Sequence, residues 1–120
     1  LNASKSESRL GKIAIFLLPG VGRHYLCAYR LTAAVIEAAI AQGIYVIVDW
    51  HAHEPNEDKA IEFFTKIAKA YGSNPHLLYE TFNEPLDVSW NDVLVPYHKK
   101  GISAIRAIDK KNVIILGTPN

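Results

Sequence analysis

The sequence has little of what several classes of protein require. It contains one cysteine, Cys27, so an internal disulfide framework is excluded. No apolar run approaches the roughly 18 residues of a membrane-spanning helix, so we expect no membrane association. The 13 basic and 12 acidic residues are mixed along the chain and leave a formal net charge of +1. No basic surface is therefore predicted, and nucleic-acid binding is not expected.

The length and composition are those of one globular domain, with 120 residues of which 49% are hydrophobic. Residues 1–10 form a polar, Ser-rich N-terminal segment. Residues 13–18 follow Lys12 in a way that resembles the charged and apolar regions of a signal peptide. That apolar run has only six residues and ends at Pro19-Gly20, so a buried strand is the better interpretation.

Strand and helix patterns alternate over residues 11–120. Strands are predicted near 13–18, 44–50, 77–82 and 112–116. Helical patterns separate them, one over residues 32–42, one capped by Asn56 and ended by Gly72, and one starting at a capping-box-like segment, Ser89–Asp92. The strand ends lie 32 to 34 residues apart. A (β/α)8 barrel of about 250 residues has roughly 31 residues per strand-helix unit, so four parallel strands of a TIM barrel fit this period. A doubly wound open sheet fits the same alternation.

Polar residues that could take part in catalysis or binding follow the second and third predicted strands. Asp49-Trp50-His51 ends the second strand, and Asn83-Glu84-Pro85 follows the third. In parallel α/β folds the functional groups gather beyond the carboxyl ends of the strands. Since His51 and Glu84 are one structural repeat apart, we expect an imidazole, an amide and a carboxyl group to meet at one rim.

Four segments carry a resemblance to a known family. VIVDWHAHE, LLYETFNEPL, VSWNDVLVPY and NVIILGTP occur in this order within about residues 32–119 and resemble glycoside hydrolase family five, the endoglucanases. The resemblance implies a partial (β/α)8 TIM barrel and retaining hydrolysis of β-1,4-glucan. It also implies secretion, a polysaccharide or oligosaccharide partner, and no cofactor or metal.

The resemblance also assigns roles to individual residues. It implies that Glu84 is the general acid/base, that Asn83 hydrogen-bonds the 2-hydroxyl of the sugar being cleaved, and that His51 lines the subsite for that sugar. These roles suit glycoside chemistry, because a glycosidic oxygen leaves readily only when an acid protonates it as the bond breaks.

The sequence departs from the family pattern at one essential group. The resemblance implies a glutamate nucleophile on a later strand, yet no glutamate follows Glu84. Asp87, Asp92 and Asp109 are the only later acidic residues, and none is predicted at the carboxyl end of a strand. We therefore expect that the nucleophile is absent from these 120 residues and that this partial chain does not turn over substrate. Residues 1–30 also depart from the family pattern.

Two other classes of function remain open. His51 and His53 are spaced as a possible ligand pair of a metal-dependent hydrolase. The missing nucleophile is also compatible with a non-catalytic carbohydrate-binding remnant of a barrel. Among the remaining residues, Glu80 is predicted to point inward with Glu84 in a structural role and Trp50 to pack against a helix. The isolated histidines are predicted at the surface; these are His24, His76 and His98.

Overall fold

The computed structural model describes residues 13–17, 25–52, 54–85 and 87–119. Residues 1–10, Leu18 and His53 lie outside the described residues. The elements in chain order are β1 (Ile13–Leu17), α1 (Tyr25–Ala41), β2 (Tyr45–Asp49), α2 (Glu57–Tyr71), β3 (Leu77–Glu80), a π-helical turn (Trp90–Leu94), α3 (Val95–Arg106) and β4 (Ile114–Ile115). Within this part of the chain, no helix is both long and apolar enough to cross a membrane.

The four strands form one parallel sheet in the order β1-β2-β3-β4. In a doubly wound sheet the strand order reverses at a switch point, whereas here each strand pairs with the next along the chain. This uninterrupted order is that of a barrel segment, so the predicted partial barrel is confirmed over the open sheet. β2, β3 and β4 are shorter than predicted, although the N–H groups of Trp50 and Thr81 still donate to the neighbouring strand.

One face of the sheet packs against the helices. Val48 and Tyr79 point to this side and are fully buried, and Phe63 and Phe64 of α2 cover them. The Phe64 and Tyr79 rings lie 6.1 Å apart, and the Trp50 ring lies 5.6 Å from Phe63. Burial of each such apolar side chain contributes about 1.5–3 kcal/mol. The prediction that Trp50 packs against a helix is confirmed.

One helix start and one helix cap differ from the sequence prediction. Helix α1 begins at Tyr25, seven residues before the predicted start at residue 32. The predicted capping role of Asn56 is wrong, since its side chain makes no hydrogen bond to the first turn of α2. Asn56 has a left-handed backbone with φ of 42°, whereas a capping residue normally has an extended one. Its side chain instead donates to the carbonyl of Glu54 at 3.3 Å.

A hydrogen-bond network joins the loops at the amino edge of the sheet. The Tyr79 hydroxyl donates to Asp109 at 2.9 Å, and Asp109 also accepts from the backbone N–H groups of Lys111 and Asn112. The Asn112 side chain donates to the carbonyl of Gly72, across to the α2–β3 loop. Burial raises the pKa of Asp109, but these donors outweigh it and hold the pKa below its ordinary value. This edge is therefore fixed by satisfied polar groups.

The other face of the sheet carries apolar side chains that the described residues leave partly uncovered. Tyr45 and Val113 are 44% and 56% exposed, and Ile47, Leu78 and Ile115 are half-buried. In a closed barrel, side chains on this face fill the interior. The inner face of the present sheet therefore exposes apolar surface to solvent.

We expect the 120-residue chain to self-associate in solution, because exposed apolar faces and strand edges promote association. Sedimentation velocity over a range of concentrations would measure the oligomers. The double variant Tyr45→Lys, Val113→Lys should associate less, since two charges then lie on the inner face. A monodisperse monomer that melts cooperatively would contradict this expectation.

Candidate active site

The register of β2 against β3 brings two carboxyl groups together. Asp49 and Glu80 are paired residues in the parallel register. Val48 and Tyr79 face the helices, so by alternation Asp49 and Glu80 lie on the inner face. His51, two residues after Asp49, follows on the same side. The inner face thus ends in a group of titratable side chains at the carboxyl edge of the sheet.

Backbone hydrogen bonds extend this pairing beyond the strands. The N–H of Trp50 donates to the carbonyl of Glu80 at 3.0 Å, and the N–H of Asn83 donates to the carbonyl of Trp50 at 3.3 Å. These bonds fasten the Asn83-Glu84-Pro85 turn to the end of β2. Within the turn, Pro85 is buried, Asn83 is half-buried and Glu84 is exposed. The turn therefore presents the Glu84 carboxyl group at the rim.

Glu84 has a strained backbone, with a φ of 43°. A left-handed conformation at a residue other than glycine costs on the order of 1–3 kcal/mol and persists only where the surroundings impose it. Such residues concentrate at functional sites. The strain therefore marks Glu84 as a residue whose position is imposed by its neighbours.

Asp49 and His51 form a partly buried pair. The Asp49 side chain is 0% exposed, and its Oδ2 lies 3.1 Å from Nδ1 of His51, whose side chain is 35% exposed. An ionised carboxylate can only accept, so Nδ1 carries the proton in this contact. The second carboxylate oxygen of Asp49, Oδ1, has no hydrogen-bond partner among the described residues. The sequence analysis gave Asp49 no role, although an acid inside an apolar strand two residues before a histidine was a usable signal.

The acidic groups at the rim act on one another. Burial raises the pKa of Asp49 to about 6, and the charges of Glu80 and Glu84 add to this effect, while the hydrogen bond and charge of His51 oppose it. Burial also raises the pKa of Glu80, with the charge of His51 lowering it and that of Glu84 raising it. Glu84, Glu80, Asp49 and His51 therefore share one electrostatic environment. The prediction that the Glu80 side chain points to the inner face together with Glu84 agrees with this shared environment.

The loop after β4 packs tightly on the Asn83-Glu84-Pro85 turn. A Cβ atom at Gly117 would lie 2.0 Å from the carbonyl oxygen of Phe82 and 2.9 Å from Cδ of Pro85. No side chain fits at that distance, so only glycine allows this approach. Gly117 lies in the NVIILGTP segment, but this contact joins residues far apart in the chain and therefore has no local sequence signal.

Helix α3 holds the end of β3 through two adjacent side chains. The Tyr97 hydroxyl donates to the carbonyl of Thr81 at 2.6 Å. The His98 ring lies 2.8 Å from Oγ1 of Thr81 and 3.0 Å from the carbonyl oxygen of Gly117. His98 is only 3% exposed, so its predicted surface position is wrong.

Helix α3 follows a π-helical turn, Trp90–Leu94. Tyr97 and Ile105 of α3 are buried, whereas Val93 within the π-turn and Ile108 beyond the end of the helix are both 36% exposed. The predicted start at Ser89 is confirmed, since its hydroxyl accepts from the N–H of Asp92 at 3.2 Å.

Those site residues predicted from sequence that the structure describes lie at one rim. His51, Asn83 and Glu84 all lie at the carboxyl edge of β2 and β3, whereas His53 is outside the described residues. Among the described residues, no group of three or more His, Cys, Asp or Glu side chains is arranged to hold a metal ion.

This arrangement, a parallel barrel segment with a carboxyl cluster at the carboxyl edge, agrees with comparisons to known proteins. Residues 26–120 match the family described as cellulase (glycosyl hydrolase family 5). The chain is 51% identical over 88 residues to endoglucanase Z of Dickeya dadantii (strain 3937). The aligned region covers 72% of this chain and 21% of that protein.

Solved structures agree with the sequence match. The catalytic domain of the Thermobifida fusca endoglucanase Cel5A superposes with a TM-score of 0.84 and 35% identity, over 90% of this chain and 38% of that chain. A variant of the same catalytic domain, with the same TM-score, identity and coverage, has been solved in complex with cellotetraose.

These matches place the chain among glycoside hydrolases built on an α/β barrel. It belongs to glycosyl hydrolase family 5, the cellulase family. The chain spans about a fifth of the length of the curated relatives it matches, with 21% for endoglucanase Z.

We predict that Gly117→Ala in the full-length protein lowers both stability and catalysis, because the new Cβ forces the β4 loop away from the turn that carries Glu84. Overpacking of this kind costs about 1–3 kcal/mol. Gly43→Ala is the control without overpacking: Gly43 has a positive φ, 65°, which strains an alanine there, but nothing lies within 4 Å of its Cβ position. Urea unfolding and kcat on a soluble β-glucan would be measured for both. A normal kcat for Gly117→Ala would contradict the packing argument.

Proposed function

We propose that this chain supplies the acid/base side of the active site of a retaining endo-β-1,4-glucanase, with Glu84 as the general acid/base. The observation that carries the proposal is the placement of Glu84. Its carboxyl group is exposed at the rim on a strained turn, and its charge acts on both Asp49 and Glu80. Membership of the cellulase family supports the same assignment.

The proposed reaction has two steps. In the first, the nucleophilic carboxylate attacks the anomeric carbon while Glu84 gives its proton to the departing glycosidic oxygen. In the second, Glu84 takes a proton from water as that water attacks the anomeric carbon and releases the nucleophile.

We propose that the nucleophile lies outside these 120 residues. Retaining enzymes place it about 5–5.5 Å from the acid, and no glutamate follows Glu84 in the sequence. Glu80 is close to the acid but suits the role poorly. Its raised pKa favours the protonated form, and a protonated carboxyl group is a weak nucleophile.

His51 and Asn83 are proposed to bind the sugar at the point of cleavage. The His51 ring is oriented by Asp49 and is partly exposed at the rim, and Asn83 adjoins the acid on the same turn. Imidazole and amide groups can each donate to or accept from sugar hydroxyls. In this proposal Asn83 contacts the 2-hydroxyl, which lies next to the anomeric carbon.

The proposed substrate is cellulose or a related β-1,4-glucan. The cellotetraose complex of the T. fusca catalytic domain supports a chain of β-linked glucose units as ligand. A polymer of this size does not cross a membrane, so we propose that the full-length protein acts outside the cell.

We predict that Glu84→Gln lowers the activity of the full-length protein on cellulose by about a hundred- to ten-thousandfold, which is the usual contribution of general acid/base catalysis. The amide cannot protonate the leaving oxygen. On a dinitrophenyl cellobioside, whose leaving group departs unprotonated, the glycosylation step should lose much less. Azide should restore turnover by attacking the covalent intermediate without a base. Initial rates on both substrates, with and without azide, provide the measurement.

Glu80→Gln is the matched control, because it neutralises a carboxyl group four residues away on the same segment. It should lower stability without any dependence on the leaving group. Equal losses on both substrates for Glu84→Gln, with no rescue by azide, would refute the assignment. Binding of cello-oligosaccharides without cleavage by the unmodified full-length protein would favour the non-catalytic alternative.

A further inference from the structure

We propose that His98 is a positioning residue for Glu84, acting through the two segments between which its ring lies. This inference rests on the proposed function of Glu84. His98 belongs to helix α3, it is buried, and no step of the proposed reaction uses it. Its two ring nitrogens nevertheless connect the end of β3 to the loop after β4.

The contacts of His98 show which ring nitrogen donates, and its burial favours the neutral ring. The carbonyl oxygen of Gly117 can only accept, so the ring Nε2, at 3.0 Å, carries a proton and donates. In a neutral ring Nδ1 then accepts from the Thr81 hydroxyl at 2.8 Å. Burial lowers the pKa of His98, and the hydrogen bond to Gly117 opposes this in part. A neutral ring thus satisfies both nitrogens at once.

Both partners of His98 adjoin the turn that carries the acid. Thr81 lies three residues before Glu84 on the same segment. Gly117 touches that segment from the other side, where its Cβ position meets Phe82 and Pro85. A displacement of either partner therefore moves the turn. The ring sets the distance between them, because its two nitrogens are rigidly spaced.

The chemistry of the residue favours a positioning role over simple filling of the core. The neighbouring buried positions of this helical region are apolar, as at Leu94 and Ile105. A phenylalanine would fill similar space beside Trp90 and Tyr97 without the cost of burying two polar nitrogens. A buried, fully bonded polar group specifies geometry more than it adds stability. The strained backbone of Glu84 needs surroundings that hold it in place.

The test compares three variants of the full-length protein. His98→Phe keeps the ring volume and loses both hydrogen bonds. His98→Gln places an amide donor where Nε2 contacts Gly117, and His98→Asn places a polar group where Nδ1 contacts Thr81. For each, kcat and KM are measured on a cello-oligosaccharide and on dinitrophenyl cellobioside, well below the melting temperature.

We expect His98→Phe to lower kcat on the cello-oligosaccharide by about ten- to a hundredfold, the effect of misplacing a catalytic group by up to about 1 Å. KM on the cello-oligosaccharide should change little. The loss of kcat/KM on dinitrophenyl cellobioside, which reports the glycosylation step, should be much smaller, because that step does not need the proton with this substrate. The Gln and Asn variants should each recover part of kcat. If the Phe variant does not fold, these two still carry the comparison with the unmodified protein.

Ile105→Ala is the control, since it creates a cavity under the same helix, about two turns after His98. It should lower the melting temperature without any dependence on the leaving group. The proposal is overturned if the His98 variants lower the melting temperature but keep kcat, or if they lose rate equally on both substrates. Its failure is distinct from failure of the proposed function, which would appear as equal losses on both substrates in Glu84→Gln itself.

Discussion

The parallel register between β2 and β3 is the constraint on which the rim depends. It pairs Asp49 with Glu80, and the alternation of side chains then turns both carboxyl groups to the inner face. The same register brings Trp50 within hydrogen-bond distance of Glu80 and Asn83, which anchors the turn carrying the acid. A slip of one residue would exchange the two faces and place the carboxyl groups among the helix-packing side chains.

The two edges of the sheet differ in how well their polar groups are satisfied. At the amino edge, Asp109 accepts from a tyrosine hydroxyl and two backbone N–H groups, which hold its pKa below the ordinary value. At the carboxyl edge, Asp49 has one carboxylate oxygen without a partner among the described residues, and Glu84 has a strained backbone. Barrels commonly place stability at one end and chemistry at the other. The satisfied edge and the apolar core stabilise a fold that tolerates unfavourable groups at the rim.

Sequence reasoning recovered the features that depend on local pattern. Apolar, β-branched runs predicted the parallel strands, and the rule that function gathers at carboxyl ends placed His51, Asn83 and Glu84 at one rim. It failed where the outcome depends on backbone geometry or distant partners. Asn56 has the residue type of a cap but a left-handed backbone. His98 lies on α3, and its partners Thr81 and Gly117 are 17 and 19 residues away in the chain.

The proposed two-step reaction requires the electrostatic field at Glu84 to change between steps. Two sources contribute to that field, the carboxyl groups of this segment and the nucleophile. Asp49 and Glu80 are chemically unchanged throughout the cycle, so their influence on Glu84 is constant apart from their own protonation. Only the nucleophile loses its charge, when it becomes bonded to the sugar. In this proposal Asp49 and Glu80 take no part in the covalent step. The nucleophile supplies the change that lets the same group act as a base. The position of Glu84 must therefore remain fixed while the field around it changes, and this is the requirement that the contacts from Gly117 and α3 meet.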